Sequence, residues 1–173
     1  AFHPDMSSYK YDISELNYTL IGASREPKSI QSGKIDLGGI DIAKLKSDDV
    51  AGDDLTGGYI VKVDKIDPGF NYATDGWKSI PSPAYPNAMK ITFQYYYPKA
   101  EDIVQVQRNY IKDYVTTAEN TLTSATFADP NAGYNHYFNT GSFIDQMILN
   151  EVSKEVDAYR YSTFFYKQKD SDG

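Results

Sequence analysis

The sequence reads as an α+β chain, and two kinds of periodicity predict this. Two long stretches, 100–124 and the run that starts at Ser142, carry apolar residues at helical spacing. Shorter runs at 59–65, 89–97 and 159–167 are rich in β-branched and aromatic residues and read as strands. At 173 residues the chain is long enough for one domain with a core, or for a large piece of a bigger one. No internal repeat or low-complexity tract interrupts it.

Residues 1–10 have no periodicity and read as a lead-in. Residues 11–21 alternate in part and suggest a strand that ends at Arg25-Glu26-Pro27-Lys28. In 34–47, two short apolar alternations surround Gly38-Gly39, which predicts two strands or one bulged strand. The acidic loop 47–54 follows. Clustered carboxylates suit a hard cation such as calcium, but the spacing is not that of an EF-hand, and a solvated acidic turn is the simpler reading.

The clearest strand signal is Leu55 to Lys65, where Gly57-Gly58 is followed by an alternating apolar run. Paired glycines can let a phosphate approach the backbone. The pattern is neither G-x-G-x-x-G nor a Walker sequence, so a tight turn is the plainer expectation. Residues 67–88 hold four prolines and Trp77, and predict a long ordered loop. Trp77, Tyr72 and Tyr85 suit stacking on a sugar if exposed, or packing of the loop if Trp77 is buried.

The strand at 89–97 should place Ile91, Phe93 and Tyr95 on one face. The helix at 100–124 should bury Ile103, Val106, Tyr110, Tyr114, Ala118 and Leu122, with Glu101 and Asp102 in its first turn. In the next helix Ser142 and Asp145 form a capping-box-like start. Phe143, Ile144, Met147, Ile148 and Val152 should form its buried face. The terminal run 169–173 is a turn sequence after a strand, as in a hairpin whose return strand does not follow.

Composition narrows the function. Forty per cent hydrophobic and 24% charged residues fit a globular protein. A net charge of −7 argues against nucleic acid, which needs clustered Lys and Arg. No apolar run is long enough for a transmembrane helix, and residues 1–20 lack a signal-peptide layout. A chain that begins with Ala reads as a processed or trimmed piece. The absence of cysteine excludes thiol catalysis, disulfides and cysteine-bound zinc. Sixteen tyrosines with many Asn, Ser and Thr point to an extracytoplasmic protein, secreted or on a surface. His3 and His136 are far apart and match no H-E-x-x-H pattern, and no G-x-S-x-G supports a serine hydrolase.

The richest stretch is Gly141 to Lys167, where helix, strand and ionisable residues meet. Between helix and strand lies Glu155-Val156-Asp157-Ala158-Tyr159-Arg160, a junction at which a scaffold can present a reactive group. On residue types alone, Asp157 reads as a helix-terminating turn residue, and Glu151 with Arg160 as a structural ion pair.

The run SFIDQMILNEVSKEVDAYRYSTFFYK resembles the signature of the CotH family, atypical kinases first associated with bacterial spore coats. The segment DDLTGGYIVKVDK, in the expected order upstream, resembles a second stretch of these proteins. The resemblance implies antiparallel strands packed against two main helices, within a distantly protein-kinase-like domain. It implies transfer of the ATP γ-phosphate to Ser or Thr of secreted or coat proteins, with Mg²⁺. Phosphoryl transfer needs a carboxylate for the attacking hydroxyl and cations for the phosphates. Asp157, matching the aspartate of D-x-Y-R, is the implied catalytic residue. Arg160 and Lys167 are the implied phosphate-neutralising groups, and Glu151 an orienting acid for one of them.

Glu155 stands where many members carry Asn. The family's G-P-x-W-D-F-D motif, thought to hold the metal, and its basic R-G-x-S and K-K-S-Y-like region are not found in residues 1–173. The chain is therefore expected to be a partial CotH-like domain, inactive alone. Two other expectations stand beside it: a non-catalytic surface or polysaccharide-binding module, and a degenerate CotH domain that scaffolds other proteins.

Overall fold

The computed structural model describes residues 29–31, 34–36, 41–80 and 85–172. The lead-in at 1–10 and the strand expected at 11–21 lie outside the described residues. Strands β1 (Ser29–Gln31), β2 (Lys34–Asp36) and β3 (Asp41–Ala43) form a small antiparallel sheet, with Ile35 opposite Ile42. The two strands predicted around Gly38-Gly39 are therefore both present.

The main sheet has four antiparallel strands: β4 (Tyr59–Val63), β5 (Gly76–Lys78), β6 (Thr92–Tyr97) and β7 (Thr163–Lys167). Their spatial order is β5-β6-β4-β7, so the last strand in sequence lies beside the first. Among the described residues three helices accompany them: the short α1 (Gly52–Thr56), α2 (Gln105–Leu122) and α3 (Thr140–Ser153). This is the α+β arrangement expected, with antiparallel strands and two main helices.

Alternation along β4 decides where the core sits. Tyr59 and Val61 face α2 and join Leu45, Trp77, Phe93, Ile103 and Ile111 in the main cluster. Ile60 faces the other way and packs with Tyr96, Tyr97, Phe164 and Tyr166. Burial of a side chain of this size stabilises by about 1.5–3 kcal/mol. Trp77 is central: its ring lies 5.3 Å from those of both Phe93 and Tyr95. It sits on β5, a short strand within the stretch predicted to be loop.

The helices are found where expected, but turned. Helix α2 begins at Gln105, because the side chain of Gln107 accepts from the Val104 amide at 3.2 Å and closes the first turn there. Glu101 and Asp102 fall in the preceding turn. The buried residues of α2 are Gln107, Ile111 and Ala118, whereas Val106 and Leu122 of the expected stripe are exposed.

Helix α3 departs further from expectation. Its N-cap is Asn139, whose side chain accepts from the Ser142 amide at 3.2 Å. Ser142, expected to cap, is inside the helix and buried. The buried line is Ser142, Gln146 and Asn150, while Ile144, Met147, Ile148 and Val152 are exposed, Val152 to 77%. The polar line satisfies itself in part: Ser142 Oγ donates to the Asn139 carbonyl at 2.8 Å and Gln146 Nε2 to Asn150 Oδ1 at 3.0 Å. No helix among the described residues is long and apolar enough to cross a membrane.

Candidate functional site

The residues between α3 and β7 form a tight, exposed turn. Lys154 ends α3 in the left-handed conformation (φ 51°), and Tyr159 (φ 65°) and Ser162 (φ 52°) repeat that conformation before β7 starts. Three non-glycine residues with positive φ within nine positions are costly, and such strain collects where surrounding structure holds a functional shape. The turn is held from within. The amides of Arg160 and Tyr161 donate to the Asp157 carbonyl at 3.1 and 3.0 Å, and the Ala158 amide donates to the Glu155 carbonyl at 3.2 Å. This backbone bonding presents Asp157 at the bend. Among the described residues its carboxylate makes no hydrogen bond or ion pair.

The turn meets the end of β4. Pairing in register sets Val63 opposite Thr163, so the two segments that resemble one family come together here. The Ser162 amide donates to Asp64 Oδ1 at 3.4 Å. Lys65 Nζ lies 5.3 Å from the centre of the Tyr161 ring, and the Arg160 guanidinium carbon lies 5.3 Å from the same ring. Two cations from distant parts of the sequence thus share one aromatic anchor. Gln94 Nε2 fixes the strand end by donating to the carbonyls of Asp64 and Lys65 at 3.0 and 3.3 Å.

The other expected site residues are placed differently. Glu151 is on the last turns of α3, where Oε1 accepts from the Tyr159 hydroxyl at 3.2 Å. It forms no ion pair with Arg160 or Lys167 among the described residues, so it orients a tyrosine and not a cation. Lys167 ends β7 opposite Tyr59. Four strand steps separate it from Thr163, about 13 Å. Its ammonium is held by Asp170 Oδ1 at 2.6 Å and the Gln168 carbonyl at 2.9 Å, 4.8 Å from the Tyr114 ring. The structure therefore brings Asp157 and Arg160 into one turn and leaves Lys167 at the opposite end of the strand. Lys65 and Asp64 were absent from the residues singled out in the sequence. Their position in a motif that resembles the same family was the available signal.

Several other expectations are decided by packing. The paired glycines serve close backbone contact. A Cβ on Gly57 would overlap the main chain of Gln168 and Lys169, and Gly58 (φ 92°) donates its amide to the Lys167 carbonyl at 2.8 Å. That amide is not free for a phosphate.

Three of the four acids of the 47–54 loop have partners within the protein. Asp49 accepts from the Lys46 amide, Asp53 from the Ser171 amide and hydroxyl, and Asp54 pairs with Lys169. Among the described residues no group of three or more His, Asp or Glu could hold a metal ion. Trp77 is buried, so it cannot stack on a glycan as the surface-module reading required; Tyr72 and Tyr85 remain exposed.

A protein-family model described as CotH kinase protein matches residues 39–173. The match spans both β4 and the Asp157 turn. No curated protein and no solved structure matches the chain.

Proposed function

The chain belongs to the CotH family, and on that premise we propose that it carries part of the phosphotransfer site of a CotH-like protein kinase. The observation that carries this reading is the Asp157 turn: an uncommitted carboxylate on a strained, backbone-bonded bend whose Tyr161 ring gathers the cations of Arg160 and Lys65. In the proposed reaction a Ser or Thr hydroxyl of a secreted or coat protein attacks the γ-phosphorus of ATP. Asp157 accepts the hydroxyl proton, the bond from the γ-phosphorus to the β–γ bridging oxygen breaks, and ADP leaves. Arg160 and Lys65 supply positive charge to phosphate oxygens. Lys167, bound to Asp170, is a less suitable phosphate ligand than the sequence implied.

The described residues bring together no group of three or more His, Asp or Glu, and no ligand is assigned to Mg²⁺. Glu155 stands at the bend itself, where its Oε1 accepts from the Asp157 amide at 3.4 Å, and a scaffold role with no transfer remains the rival reading.

The test is transfer of labelled γ-phosphate to protein in magnesium, using the product of the full reading frame that contains this chain. Asp157→Asn should lower transfer by about 10²-fold or more, while Arg160→Ala should mainly weaken ATP binding. Transfer that is unchanged in Asp157→Asn would remove Asp157 from the reaction. Absence of transfer in the wild type would favour the scaffold.

A further inference from the structure

A cavity lies toward the Lys167 end of β7. Helix α2, one face of the sheet, the segment 135–139 and the start of α3 border this half-open cavity of about 540 Å³. Its size suits a small organic molecule. The walls are largely apolar and include the rings of Phe93 and Phe165 from the sheet, Tyr114 from α2, Tyr137 from the connecting segment and Phe143 from α3.

The charge on these walls is unbalanced. Lys167 lines the cavity but is already paired with Asp170 and the Gln168 carbonyl. His136 also lines the cavity and is itself exposed. Glu119 lines the cavity from α2, half-buried, and its Oε2 is shut off from solvent with no hydrogen-bond partner among the described residues. Burial pushes its carboxyl above the ordinary carboxylate value, as expected for an acid without a compensating partner.

We propose that this cavity binds a small organic ammonium ion, its apolar body against the aromatic walls and its charged nitrogen at Glu119 Oε1, the carboxylate oxygen that is not shut off from solvent. Two effects favour a cation over an anion or a neutral molecule. Aromatic faces attract positive charge, more strongly when water is excluded. A donor at Glu119 also offsets the cost of a partly desolvated acid that nothing else in the wall neutralises. An anion would gain little, because the wall's lysine is committed and Glu119 repels it.

Calorimetric titration with three probes of one shape tests this: phenethylamine, phenethyl alcohol and 3-phenylpropionate. The amine should bind about tenfold or more tightly than the alcohol, and the carboxylate should not bind. Glu119→Gln, which keeps the side-chain shape, should weaken the amine about tenfold and leave the alcohol unchanged. Leu122→Trp, at a half-exposed position on the wall, should block all binding while circular dichroism shows the fold retained. Equal binding of amine and alcohol, preference for the carboxylate, indifference to Glu119→Gln or to Leu122→Trp, or no binding by any probe would each overturn the site.

Discussion

Gln107 on the first turn of α2 reaches back across the sequence to the loop before α1. Its Nε2 donates to the main-chain carbonyls of Lys46 at 2.6 Å and Asp49 at 3.1 Å, and its Oε1 accepts from the Val104 amide. The residue is fully buried, so one amide side chain satisfies three main-chain groups and locks the loop at 46–49 to the helix.

Gln107→Leu keeps the volume and removes every one of these bonds. The expected loss of stability is about 2–3 kcal/mol, read from the urea midpoint, because the Val104 amide and the Asp49 carbonyl lose their partner, while the Lys46 carbonyl keeps the Asp49 amide at 3.1 Å. A loss under about 0.5 kcal/mol would show that these groups find other partners.

Gly57→Ala should release the segment 168–172 from its seat. The new methyl has no room against the main chain of Gln168 and Lys169, whereas at Gly69, with open space around it, the same change meets only its positive φ. Amide exchange at 168–172 should speed up strongly in Gly57→Ala and stay unchanged in Gly69→Ala. Equal effects at the two positions would sink the packing argument.

The same segment should loosen in acid. The Ser171 hydroxyl, then the Ser171 amide, hold the Asp53 carboxyl below its ordinary value of 3.8. A depressed acid contributes stability that is present above the unfolded value and lost as pH falls through the folded one. The Ser171 amide signal should therefore report undocking only as the pH drops below about 3.8, and Asp53→Asn should abolish that dependence. Undocking that begins near neutral pH would point to another group.

Trp77 offers a stability test that also addresses the glycan-binding reading. Trp77→Ala should cost about 3–5 kcal/mol, since it empties the centre of the sheet cluster. Tyr85→Ala, at an exposed position, should change stability by no more than about 0.5 kcal/mol. A glycan that binds the wild type and is lost in Trp77→Phe, with melting unchanged, would restore the surface-module reading.

Periodicity was sufficient for the existence of β4, β6, β7, α2 and α3, because the spacing of apolar residues along a chain reflects the geometry of the element itself. Residue pattern also drew attention to the Asp157 turn, since a helix signal and a strand signal collide there. It was not sufficient for the orientation of α3. Ile144, Met147, Ile148 and Val152 mark one face, but which face turns inward depends on the surface opposite. Here the line Ser142-Gln146-Asn150, with its own hydrogen bonds, takes that place.

Two further outcomes rested on contacts between residues remote in sequence. Lys167 reads as a neighbour of Arg160 along the chain, yet an extended strand carries it away from that end of the sheet. Lys65 arrives instead, because β4 and β7 pair antiparallel and set Val63 against Thr163. Gly57-Gly58 is legible as backbone freedom, while its purpose, room for the main chain of 168–169, exists only once the last segment has docked. Local spacing thus decided which elements form. Strand order and docking, set by burial and by the need to pair main-chain groups across the fold, decided which side chains share a site.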